Sequence, residues 1–228
     1  MFFKKKIITP DRMDWHPDPD QLLLADSHAR HLEANSTSYD ATKDAEKNGE
    51  KTLLIFLGGA MDDVYQPMLQ GVFIPYRLKY DGHHDCCYAT HAATKHIIQL
   101  IKYWHSNGQK ICLLGHSWGG KNIHVIANKL IVEKIPIALL VTLDPVSRRY
   151  FRRHIKKPAN VKKWVNVHVD YGKASMEYSN VIARLGGYWG HCQHADRNIR
   201  LSRDNDSEIT HAMAGRMFAE VEEDVIML

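Results

Sequence analysis

The sequence predicts an α/β fold in which a mostly parallel sheet is flanked by helices. Three observations carry the prediction. Short, turn-bounded apolar runs recur along the chain. Segments with apolar residues at helical spacing lie between them. The alternation of the two is what a parallel sheet with helical crossovers requires. The 228 residues suffice for a core that needs no disulfide or metal staple.

Residues 52–57 (TLLIFL) form a continuous apolar run closed by Gly58-Gly59, as expected of a strand buried on both faces. Residues 72–79 read as a weaker strand. Residues 89–106 read as a helix, with Ile97, Ile98, Ile101 and Trp104 at helical spacing and Asn107-Gly108 closing it. Residues 111–114 are the next strand. Residues 121–133 form a helix with Ile123, Ile126, Ala127 and Leu130 on one face. Residues 137–143 and 164–169 read as the third and fourth strands, and residues 210–225 as a closing helix. Ahead of all these, residues 1–51 are polar and turn-rich, with a short helix expected over 21–32 after Asp18-Pro19-Asp20. The chain therefore divides into an N-terminal polar segment, 1–51, packed on a main domain, 52–228.

Composition excludes several classes. Hydrophobic residues are 44% and charged residues 25%, which rules out a wholly disordered, collagenous or coiled-coil chain. No apolar run reaches about 18 residues, so no transmembrane helix is expected. The basic start Met1–Lys6 lacks a following apolar stretch, so no signal peptide is read. The chain is expected to be cytoplasmic as synthesised, with non-Sec export open. The four cysteines show no CxxC spacing and read as free thiols. A net charge of +4 does not argue for nucleic acid.

The strongest local signal is Gly115-His116-Ser117-Trp118-Gly119-Gly120, a GxSxG placed after one strand and before a helix. A serine in a sharp strand-to-helix turn needs small neighbours, because backbone passes close on both sides. The helix behind it points free N–H groups at charge developing on a substrate oxygen. Such a serine needs a base, and the base needs an orienting acid. Asp144 ends the strand after the serine and is the first choice for the acid, with Asp170 at the end of the next strand as the second. His211 is the first choice for the base, with His191 and His194 as competitors. His116 and His124 read as packing residues. The backbone N–H of Trp118, together with the Gly59-Ala60 loop after the first long strand, is expected to form the oxyanion hole.

These motifs resemble the α/β-hydrolase superfamily, and within it the lipase-like serine hydrolases. The resemblance runs from Thr52 to the C-terminus and rests on Ser117 in GHSWGG and on Asp144 in Leu-Asp-Pro. The chain is also similar to small bacterial lipases, including some related to type VI secretion lipase effectors. It departs from a typical lipase in having no obvious long apolar lid. The resemblance implies hydrolysis of an acyl ester, in a lipid or a small soluble molecule, through an acyl-enzyme on Ser117, without cofactor or metal. A cytoplasmic esterase or thioesterase, and a silent hydrolase-fold protein that binds a partner, are the alternatives.

Other clusters remain. Arg148, Arg149, Arg152, Arg153, Lys156, Lys157, Lys162 and Lys163 form a basic stretch that could meet anionic headgroups. His83-His84-Asp85-Cys86-Cys87 and His191-Cys192-His194-Asp196 hold ligand-type residues, although packing is the plainer reading for both. Glu220 to Asp224 carries four acids in five positions, a solvated tail or a partner surface.

Overall fold

The computed structural model describes residues 7–8, 51–60, 62, 64–147, 155–204 and 208–228. The helix expected over 21–32 lies outside the described residues. So do Arg148, Arg149, Arg152 and Arg153 of the basic stretch.

The strands are β1 (Ile7–Ile8), β2 (Thr52–Gly58), β3 (Asp85–Thr90), β4 (Lys110–His116), β5 (Ile137–Leu143), β6 (Val161–Val169) and β7 (Arg197–Leu201). They form one sheet in the order β1-β3-β2-β4-β5-β6-β7. Among the strands of the described residues only β1 is antiparallel, pairing Ile7 with Ala89 and Ile8 with Tyr88. The other six strands are mutually parallel. A π-helical turn, Leu69–Phe73, runs into α1 (Ile74–Lys79). The remaining helices are α2 (Thr94–Ser106), α3 (Trp118–Leu130), α4 (Tyr178–Gly186), α5 (Ala214–Ala219) and α6 (Glu222–Ile226).

The side-chain alternation of the strands sorts the core into two layers. Leu54, Phe56, Leu114, Val141, Val165 and Val167 face α1, α4, α5 and α6. Leu53, Ile55, Leu57, Ile111, Leu113 and Leu140 face α2 and α3. Both layers are apolar, which is why the strands read as unbroken hydrophobic runs.

This arrangement positions a site. From β2 the chain crosses to β3 on one side; from β4 it crosses to β5 on the other. The carboxyl ends of β2 and β4 therefore flank a topological switch point, where an open α/β sheet leaves a crevice. The Gly58-Gly59 turn and Ser117 are the residues that leave those two strands.

Three readings of the sequence are corrected. Residues 72–79 are helical, not a strand: Leu69, Val72, Phe73 and Tyr76 bury one helical face, and the apparent alternation of Val72, Ile74, Tyr76 and Leu78 was fortuitous. The helix expected from residue 89 begins at Thr94, because Asp85–Thr90 is a parallel strand between β1 and β2. The Cys-Cys-Tyr run is buried there, so its cysteines are core residues. The closing helix is two short helices, broken at Glu220-Val221, and residues 210–213 lie before it. Helix α4 and strand β7 were not foreseen.

The acidic run near the C-terminus meets partners on the protein itself. Glu220 pairs with Arg216, Glu222 with Lys79, and Asp224 with both Lys163 and Arg197. Lys157 pairs with Asp196. Among the described residues, part of the basic stretch is thus neutralised internally. No helix among them is long and apolar enough to cross a membrane.

Candidate active site

Ser117 leaves β4 with φ 57° and ψ −125°, a conformation that costs a non-glycine residue of order 1–3 kcal/mol. The surroundings hold it there. Its N–H donates to Leu143 O at 2.9 Å, and its carbonyl accepts from Val146 N at 3.1 Å. The flanking glycines are required by contact. A Cβ on Gly119 would lie 2.2 Å from Leu57 O, and one on Gly115 would lie 2.6 Å from Gly119 O. The helix that follows can pack against β2 only if those positions carry no side chain.

Asp144 leaves β5 with φ 42°, again left-handed, and is fully buried. Its N–H donates to Val167 O at 2.7 Å. One carboxylate oxygen, Oδ1, accepts from Val169 N at 3.1 Å. The other, Oδ2, lies 2.6 Å from His211 Nδ1 and accepts from the Tyr171 hydroxyl. The His211 ring reaches on to Ser117, with Nε2 2.8 Å from Oγ. The first-choice serine, acid and histidine thus lie in one hydrogen-bonded line, although 94 residues separate His211 from Ser117.

His211 lies in an irregular segment and is held from outside it. Its N–H donates to Asn180 Oδ1 at 2.7 Å, and its carbonyl accepts from His116 Nε2 at 2.7 Å. The His116 ring packs against its ring at a tilt of 34°, with centroids 4.9 Å apart. Burial, and then the adjacent His211, hold the His116 imidazole far below the ordinary 6.5, at about 3. His116 is therefore neutral at any working pH and is a packing group.

The Gly59 loop presses directly on the nucleophile. A Cβ on Gly59 would come 2.8 Å from Ser117 Cβ and 3.2 Å from its Oγ. The loop is tied down by Asp62, whose Oδ1 accepts from Met68 N at 2.7 Å and whose Oδ2 accepts from the Tyr88 hydroxyl. His91 Nδ1 lies 3.1 Å from Gly59 O. Trp118 is the first residue of α3, where backbone N–H groups have no partner within the helix.

The alternatives lie elsewhere. Asp170 pairs with Arg200 and caps Gly172 N at 3.0 Å. His191 is exposed and packs edge-on to His168 at 6.2 Å, beside an open cavity of about 280 Å³ that Tyr188 and Arg200 also line. His194 is exposed. Asp196 anchors the start of β6, accepting from Trp164 N at 2.7 Å. No group of three or more metal-ligand side chains occurs among the described residues.

Three contributors had no sequence signal: Tyr171, Asn180 and Asp62. Each acts across the fold, at no fixed spacing from a motif. Tyr171 is buried in the turn after β6, and Asn180 is fully buried on α4. Two of these, with Arg184, show that α4 braces the site: Arg184 donates to Tyr171 O from the same helix, four residues beyond Asn180.

No protein-family model and no curated protein matches the sequence. Solved structures do match in fold. A lipase from Bacillus licheniformis, BlEst2, is 10% identical, with a TM-score of 0.50 over 78% of this chain and 93% of that one. Est1E from Butyrivibrio proteoclasticus is 14% identical, with a TM-score of 0.46 over 78% and 87%. An alpha-beta serine hydrolase homologue from Coxiella burnetii is 15% identical, with a TM-score of 0.45 over 79% and 86%. The first supports what the topology indicates: the chain has the α/β-hydrolase fold, a mostly parallel sheet flanked by helices.

Proposed function

We propose that the protein is a carboxylic ester hydrolase that works through an acyl-enzyme on Ser117. The observation that carries the reading is the unbroken line Ser117 Oγ, His211 Nε2, His211 Nδ1, Asp144 Oδ2, with steps of 2.8 and 2.6 Å on either side of the ring.

The mechanism follows from that line. Ser117 Oγ attacks the ester carbonyl carbon as its proton passes to His211 Nε2. Asp144 keeps Nδ1 as the protonated nitrogen, so that Nε2 is free to accept, and faces the imidazolium that results. The carbonyl electron pair moves to oxygen, which the Trp118 and Ala60 N–H groups meet. The tetrahedral carbon expels the alkoxide, which takes the proton from Nε2 and leaves as the alcohol. Water then attacks the acyl-enzyme by the same path, giving the carboxylic acid and free Ser117. The pinned Gly59 loop supports this assignment, because an oxyanion site must be rigid before charge develops in it.

The finer reading is an ester with a substantial apolar acyl chain, of lipase or phospholipase type. Its support is a set of exposed apolar side chains on two segments that contribute residues to the site. Helix α4, which holds His211, exposes Tyr178, Ile182 and Leu185 at helical spacing, with Met176 just before it. Val64 and Tyr65, beyond the Gly59 loop, are exposed as well. A series of p-nitrophenyl esters from acetate to palmitate, and phosphatidylcholine vesicles, tests both levels. The reading expects turnover that rises with acyl length and is lost in Ser117→Ala. Turnover confined to acetate would leave an esterase of small soluble substrates, and none with any ester would remove the reading.

A further inference from the structure

We propose that Tyr171 is a positioning residue: its hydroxyl holds the Asp144 carboxylate that orients His211, and so sets how far into acid the reaction persists. The proposal rests on the ester-hydrolase reading above and deepens it.

Tyr171 is 4% exposed, and its hydroxyl reaches the centre of the network. It donates to Asp144 Oδ2, the same oxygen that faces His211, and its own oxygen lies 3.1 Å from His211 Nδ1. Proton counting fixes the directions. Nε2 faces the Ser117 hydroxyl and accepts from it, so Nδ1 carries the ring proton and is a donor. The phenol cannot donate to a donor, so its single proton goes to Oδ2. Burial, and then the Asp144 charge, push the phenol's ionisation far upward, so it stays neutral and donating at any working pH.

The residue is itself fixed by two neighbours. Its ring packs on Tyr188, with centroids 4.6 Å apart. The Arg184 guanidinium lies 5.8 Å from its ring centroid and donates to its carbonyl. The hydroxyl thus reaches the carboxylate from a braced turn.

Two effects of the hydroxyl oppose each other. Its oxygen, beside Nδ1–H, favours the imidazolium. Its proton, on Oδ2, draws negative charge away from the ring and disfavours the imidazolium. The second is the larger, because the phenol's proton is donated directly to Oδ2, whereas its oxygen lies 3.1 Å from Nδ1. The 3.1 Å contact is also shared with the stronger Nδ1–Asp144 bond. Tyr171 therefore keeps His211 available as a base at lower pH than Asp144 alone would allow.

The other titratable and charged groups around the cluster do not produce this effect. His116, from β4, stays neutral. His168, from β6, is held below its ordinary value by burial. Arg184, from α4, is a fixed charge, and Asp170 is paired with Arg200. Tyr188 meets the ring of Tyr171.

The test is the pH dependence of kcat/KM for p-nitrophenyl butyrate, with purified wild type, Tyr171→Phe, and protein carrying 3-fluorotyrosine at position 171. Tyr171→Phe keeps the ring and is expected to move the acidic limb up by roughly half to one pH unit, with kcat lowered and KM little changed. The fluorinated phenol, a stronger donor, is expected to move the limb down. A limb that stays in place in both variants overturns the proposal, even if kcat falls, because loss of packing alone would not move it. Wild type that neither hydrolyses esters nor reacts with a fluorophosphonate overturns the hydrolase reading itself.

Discussion

Two of the three residues in the proposed triad stand in left-handed backbone without being glycine: Ser117 at φ 57° and Asp144 at φ 42°. Each conformation has a cost, and each turns a side chain off the end of a parallel strand into the crevice. The two aspartates at the ends of β5 and β6 then separate by environment. Asp144 is fully buried with three hydrogen-bond donors on its carboxylate. Asp170 has an exposed arginine partner. Asp144→Asn is expected to lower kcat on the order of 10⁴-fold by letting the imidazole take the wrong tautomer. Asp170→Asn is expected to change it less than about twofold, since it loses only a surface pair. Matched kinetics on p-nitrophenyl butyrate check this, and a larger loss in Asp170→Asn would reverse the assignment.

At the scale of elements, α4 holds two separate loops of the site. Asn180 accepts from His211 N and donates to Ser175 O at 3.1 Å, while Arg184 holds the Tyr171 turn. Asn180→Ala leaves the His211 N–H without its buried acceptor, a loss of about 1–3 kcal/mol. The expected result is a fall in kcat of at least about tenfold together with a lower urea midpoint; unchanged kcat would show that the His211 segment holds itself. Much of this region was legible in the sequence, but unevenly. GHSWGG, the aspartate ending an apolar strand and a histidine opening the last helical stretch are local signals, and the structure brings Ser117, Asp144 and His211 together. Tyr171, Asn180 and Asp62 carry no such signal, because their partners lie 40, 31 and 26 residues away. β3 was hidden because His83-His84-Asp85-Cys86-Cys87 looks like a ligand cluster, whereas its cysteines are buried in the core on the two faces of a strand between β1 and β2. β7 was hidden because its polar and apolar residues belong to a half-covered strand, with Leu201 alone fully buried among Arg197, Asn198, Ile199 and Arg200.

At the scale of the whole molecule, burial favours the neutral form of four histidines among the described residues. Burial lowers the pKa of His84, His116, His124 and His168 below the ordinary 6.5. In that situation the unfolded chain binds protons that the folded chain does not, so stability rises with pH. The stability these groups contribute is present above about pH 6.5 and is lost as the pH falls, down to about 3 for His116. A fully buried histidine contributes a slope of about 1.4 kcal/mol per pH unit inside its window. Urea denaturation between pH 7 and 4.5 is expected to show a falling midpoint, with a shallower fall in His116→Gln. A midpoint independent of pH in wild type would contradict this account.

The central claim is that Ser117 is the nucleophile activated by His211. The most direct measurement is the intact mass of native protein after reaction with a fluorophosphonate, followed by peptide mapping. The account predicts a single added phosphonyl group on the peptide containing Ser117, absent in Ser117→Ala and slowed strongly in His211→Ala. No mass increase in wild type, or an adduct mapping to another residue, would contradict it.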